Sequence, residues 1–178
     1  RERLEKLNMV IGTFFSEVGN ELLTFLSDHD PDLVGIRQDL IVTEAWRAER
    51  FTMVRERLQH HHYNVTADAT DLEKFCRHLV DRRDFLLRLL ENPVLLEHEA
   101  FTELLRATFH LTEELERRVD FAGLPESDIR HLKDDMGRVY RLLTGQWLGY
   151  MEYLKRSYPY LFSLAMRSNP FDETASPI

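Results

Sequence analysis

A single cysteine, Cys76, among 178 residues excludes an internal disulfide framework and any zinc or iron–sulfur site built on several thiolates. Glycine and proline are scarce, seven and six residues, so turns must be few and the elements between them long. No apolar run approaches the roughly 18 residues needed to cross a bilayer, and no signal-peptide hydrophobic region is present. No stretch alternates apolar and polar residues for the length of a strand, which leaves nothing from which to build a sheet. Nucleophile elbows, phosphate-binding glycine loops and dinucleotide fingerprints are also missing. The formal charge of −8 disfavours a nucleic-acid backbone as partner.

What the chain does have is helical periodicity. Residues 2–28 carry Leu4, Leu7, Ile11, Phe14, Val18 and Phe25 at spacings of three, four and seven, the pattern of one long amphipathic helix. Pro31 can open a short helix to about Ile41 with Asp30 as its cap, and Thr43 can cap another over roughly 44–60. Residues 60–68 read as a loop. Thr70-Asp-Leu-Glu73 has the form of a capping box and opens a helix to about Glu91. After Asn92-Pro93 a further helix runs to Arg118. A turn at 121–125 leads into a long helix ending near Ser157, and residues 160–167 add a short one. The expectation is an all-α fold: a helical bundle of four principal long helices with shorter connecting helices. Residues 1–167 form a single helical bundle domain, and 168–178 an extended or disordered tail from which Phe171 can dock back.

Five glycines lie inside the two longest helices, where each costs about 1 kcal/mol relative to alanine, so packing should offset them. Gly12, Ser16 and Gly19 share one side of the first helix, and Gly137, Gly145 and Gly149 form a row on the last. The pattern predicts that these helices cross closely where bulk is absent, or that a pocket there is lined by the glycines with Trp147 and Tyr150. A closed apolar cavity beside Gly145 and Trp147 would favour the pocket.

The chemistry-bearing residues are dispersed. His60-His61-His62 sits at a helix end, where consecutive residues point about 100° apart, and reads as solvated. His110 and Glu114, with Glu103 two turns earlier, share a face; so do Asp128, His131 and Asp135. Both faces lie opposite the apolar stripes and beside arginines, so they read as surface ion pairs, and no metal ligand, cofactor or catalytic residue is assigned. His98 reads as a capping or surface histidine rather than a proton-transfer or pH-sensing group, and Cys76 as a packing residue.

Three stretches, Leu7-Asn-Met-Val-Ile-Gly-Thr-Phe-Phe-Ser-Glu-Val-Gly19, the block from Phe85 to Leu115 with Glu91-Asn-Pro93 and Leu96-Glu-His-Glu-Ala-Phe101, and Tyr158-Pro-Tyr-Leu-Phe-Ser-Leu-Ala-Met-Arg-Ser-Asn-Pro-Phe171, together resemble a group of uncharacterised prokaryotic proteins with short N-terminal transmembrane segments and a helical cytosolic portion. The resemblance implies that the chain is the cytosolic part, on the cytoplasmic side of the cell membrane, with its first helix continuing from the bilayer. Arg1, Arg3 and Lys6 fit the positive-inside rule. The leading expectation is a non-enzymatic domain that self-associates or contacts a protein partner, with Leu4, Leu7, Ile11 and Phe14 uncovered as the interface. A small-molecule-sensing bundle and a metal-binding enzyme or sensor built on the histidine–carboxylate faces are the alternatives.

Overall fold

The computed structural model describes residues 2–175. Helix α1 (Glu2–Phe14) passes through one wide π turn, Phe15–Gly19, into α2 (Asn20–Asp28), so the expected first rod is a single helix with an internal bulge. Helices α3 (Ala48–His60), α4 (Ala69–Asp81), α5 (Arg83–Leu90), α6 (Glu99–Glu116), α7 (Glu126–Ser157) and α8 (Pro159–Arg167) follow, and no strand occurs among the described residues. The all-α architecture matches the periodicity from which it was expected.

Helix α7 is the central post. Its 32 residues span about 48 Å at the usual rise, and it packs against α6, α8, α2 and α3. Leu132, Met136, Val139 and Leu143 line its inner face and are inaccessible to solvent, each worth about 1.5–3 kcal/mol of burial. Where polar side chains enter this core they satisfy themselves locally. The Thr108, Thr112 and Thr144 hydroxyls donate to carbonyls four residues back at 2.8 Å.

Several local boundaries differ from the pattern-based reading. Residues 31–41 form two short 3-10 turns, Leu33–Gly35 and Arg37–Leu40, instead of an α-helix. Thr43 accepts from the Ala45 amide in a turn, and α3 begins only at Ala48. The capping box is real but lies two residues earlier: Asp68 Oδ1 accepts from the Asp71 amide at 2.8 Å, and Asp71 Oδ2 accepts from the Asp68 amide at 3.1 Å. The expected helix to Glu91 breaks at Arg82, whose guanidinium donates to the Glu17 carbonyl of the π turn at 2.9 Å and to the His78 carbonyl at 3.1 Å. A π turn disturbs the regular carbonyl pairing of its helix, and Arg82 satisfies part of that disturbance from outside.

Through residue 175 the C-terminal segment is packed in turns. Phe171 is fully buried with its ring 5.0 Å from Trp147. Asn169 Nδ2 donates to the Leu40 carbonyl at 2.8 Å, and Arg37 donates to the Phe171 carbonyl at 2.8 Å. The last part of the expected tail, 176–178, lies outside the described residues, as does Arg1.

Candidate functional site

The stripe expected to be uncovered on the first helix is mostly covered. Leu7, Ile11 and Phe14 belong to the core, and only Leu4, half exposed, remains outside. The covering groups come from this same chain: Phe14 meets Phe101 of α6 edge-on at 5.4 Å. An apolar stripe at helical spacing shows that something covers it, and here the bundle itself does.

The glycines divide into two kinds. A Cβ on Gly12 would stand 2.5 Å from the Tyr150 hydroxyl oxygen, so α1 and α7 do approach where bulk is absent. A Cβ on Gly19 would meet the Phe15 ring of its own π turn at 2.6 Å, and one on Gly137 would stand 3.0 Å from the Tyr63 carbonyl. Gly145 and Gly149 have nothing within 4 Å of the corresponding point, so the predicted row on α7 is not a packing seam. Gly145 is exposed.

Between α1, α7 and α8 lie two adjoining clefts of about 320 and 550 Å³ that share Gly12, Ser16, Tyr150, Leu154 and Leu161. Their floor is Gly12 and Tyr150, whose ring stacks on Phe15 at 5.7 Å and 11°. Trp147 reaches one cleft from beneath, nearly all of its surface in the core. The rims are apolar and wet: Met9 is 71% exposed, and Tyr158, Leu161 and Leu164 are each about 40% exposed. Burial raises the Tyr150 phenol above its ordinary range, which keeps it neutral and suited to hydrogen bonding. The arrangement is an open groove, with Gly145 away from it, and differs from the closed cavity that would mark a small-molecule sensor.

A second constellation escaped the sequence reading. Asp30, expected as a helix cap, turns inward with its side chain fully buried. Its Oδ2 accepts from the Tyr140 hydroxyl at 2.8 Å and lies 2.8 Å from His61 Nε2. An ionised carboxylate only accepts, so the imidazole donates there. The histidine run is therefore split. Helix α3 ends at His60, and the extended backbone of His61 sends that ring inside, while His62 stays exposed near Asp32. Burial, reinforced by Asp30, raises the Tyr140 phenol far above its ordinary value; burial also pushes Tyr63 up to about 12, with Arg141 opposing. These residues are nearly sealed from solvent, and they tie the α2 end, the loop after α3 and α7 into one polar knot.

The two histidine–carboxylate faces do not stay apart. His110 of α6 and His131 of α7 both approach Asp135 Oδ2, at 3.5 and 3.4 Å, and His110 is also 3.7 Å from Glu114. Glu103 pairs with Arg138 at 3.1 Å and Asp128 stands 4.0 Å from Arg118, so neither joins the group. His98 Nδ1 accepts from the Phe101 amide at 3.1 Å and caps α6. Burial raises the Cys76 thiol and disfavours the thiolate.

No helix among the described residues is long and apolar enough to cross a membrane. The fold is an all-α helical domain with an open groove between α1, α7 and α8. Residues 3–167 match the family described as "Uncharacterized protein MJ1433, C-terminal helical domain", and the chain belongs to that family. Over 169 residues it is 49% identical to "Uncharacterized protein MJ1433" of Methanocaldococcus jannaschii, a match covering 95% of this chain and 68% of that protein. No solved structure matches the chain.

Proposed function

We propose that this domain is a non-enzymatic interaction module on the cytosolic side of a membrane-anchored protein, and that it pairs with a second copy of itself through the groove between α1 and α8. The observation that carries the reading is the co-occurrence on one face of an apolar cleft and apolar rims, Met9 on one side and Tyr158, Leu161 and Leu164 on the other. A two-fold contact requires a self-complementary surface. Apolar rims beside an apolar cleft on the same face give a second copy apolar surface of both kinds to bury. The resemblance to membrane-anchored prokaryotic proteins supports the placement, and basic Arg3 and Lys6 near the start of α1 are in keeping with it.

The test is light scattering across a concentration series. The unaltered chain should give a dimer mass at tens of micromolar, and Leu161→Asp combined with Met9→Asp should give a monomer with an unchanged helical circular dichroism spectrum. An unaltered chain that stays monomeric at about 100 µM would end the proposal.

A further inference from the structure

On a face of its own, the α6–α7 seam brings together donors that lie in two separate sequence segments. One ring nitrogen from each of His110 and His131 and one carboxylate oxygen of Asp135 lie within 4.8 Å of one another. The two nitrogen–oxygen separations, 3.5 and 3.4 Å, are too long for good hydrogen bonds. They do match the edge of a coordination shell, because a tetrahedral ion with bonds of 2.0–2.1 Å holds its ligands about 3.3 Å apart. Asp135 Oδ2 is itself solvent-inaccessible and has no hydrogen-bond partner.

The neighbouring charges are arranged around this point without blocking it. Arg138, one turn beyond Asp135, is drawn away to Glu103, seven residues before His110 on α6. Arg118 holds Glu114 by Oε2 at 3.0 Å, while Glu114 Oε1 is shared between Arg117 at 3.6 Å and His110 at 3.7 Å. Both imidazoles are 53% exposed while Asp135 is 20% exposed, so an ion would enter from solvent onto a carboxylate already in place.

We propose that His110, His131 and Asp135 form a binding site for a divalent transition-metal ion of the zinc class, with water completing the coordination. Two imidazoles select against magnesium and calcium, which prefer shells of oxygen. Three protein ligands and an open position are also the pattern of accessible zinc sites, in contrast to closed structural ones. An ion there would clamp α6 to α7 near the turn that joins them.

The probe is Zn²⁺, titrated calorimetrically at pH 7.5 into the tag-free chain, with thermal unfolding as a second readout. One ion should bind per chain with micromolar affinity or better. At a hundredfold excess over Kd it should raise Tm by about 5–10 °C. His110→Ala and His131→Ala should each weaken binding at least tenfold, and the double variant should lose the Tm shift; as exposed residues, both can be replaced without unfolding the chain. Asp135→Asn, which keeps the side-chain shape, should weaken binding as well. His60→Ala with His62→Ala should leave binding unchanged. Undiminished Zn²⁺ affinity in the His110/His131 double variant, no stoichiometric binding at tens of micromolar ion, or a loss that follows His60 and His62 instead would each overturn the site.

Discussion

The Tyr150 hydroxyl occupies the space that a side chain at Gly12 would need, with only 2.5 Å between its oxygen and a hypothetical Cβ. Gly12→Ala should therefore destabilise the protein, since overpacking of this kind costs about 1–3 kcal/mol against the roughly 1 kcal/mol that alanine returns in helix propensity. Tyr150→Phe removes the offending oxygen, so adding Gly12→Ala to that background should cost less. Gly145→Ala, where nothing stands within 4 Å, should stabilise by about 0.5–1 kcal/mol. Urea unfolding of the four variants reads all these signs. Equal responses at Gly12 and Gly145 would show that the α1–α7 approach is not set by size.

The rods were legible because helix formation depends on spacing within about 18 residues, and that spacing is written plainly in Leu132, Met136, Val139 and Leu143. What was illegible depends on neighbours distant in sequence. Leu7, Ile11 and Phe14 carry the same periodic signal whether their cover is Phe101 of the same chain or another molecule. At the break between α4 and α5 Arg82 reaches the Glu17 carbonyl of the π turn, a contact absent from any local window. The two histidine faces were visible singly, His110 with Glu114 and His131 with Asp135. That they converge depends on the register of α6 on α7, which no pattern within either helix specifies. The Asp30 knot had no signal at all, since its three members sit on three separate elements.

That knot should be costly to break. Asp30→Ala leaves the Tyr140 hydroxyl and the His61 imidazole buried without their shared acceptor, and removal of one partner from a buried charged network costs about 3–5 kcal/mol. Asp30→Asn keeps an acceptor for Tyr140 and should lose less. The triple replacement Asp30→Leu, His61→Leu and Tyr140→Phe should regain stability relative to Asp30→Ala, because no polar group is then stranded. Chemical denaturation midpoints at constant m-value check the order. A loss below about 1 kcal/mol for Asp30→Ala would mean that solvent reaches the carboxylate after all.

His78 gives the fold a pH dependence whose sign can be worked out. Its ring packs where α4 meets α2, with Nδ1 3.0 Å from Glu21 Oε2. Burial first and the Arg82 charge second lower its pKa below the ordinary 6.5, while Glu21 and Asp81 oppose them. The unfolded chain therefore holds the His78 proton more tightly than the folded one. Stability from this residue is complete above about 6.5 and declines as pH falls from there toward the lower folded value. His78→Gln cannot titrate and should flatten the fall in urea midpoint between pH 7.5 and 5.5. Glu21→Gln removes an opposing charge, so it should depress the His78 pKa further and steepen the same fall. The opposite responses of the two variants tie the slope to His78 itself. A His78→Gln profile parallel to that of the unaltered chain would exclude His78 as a source of the slope.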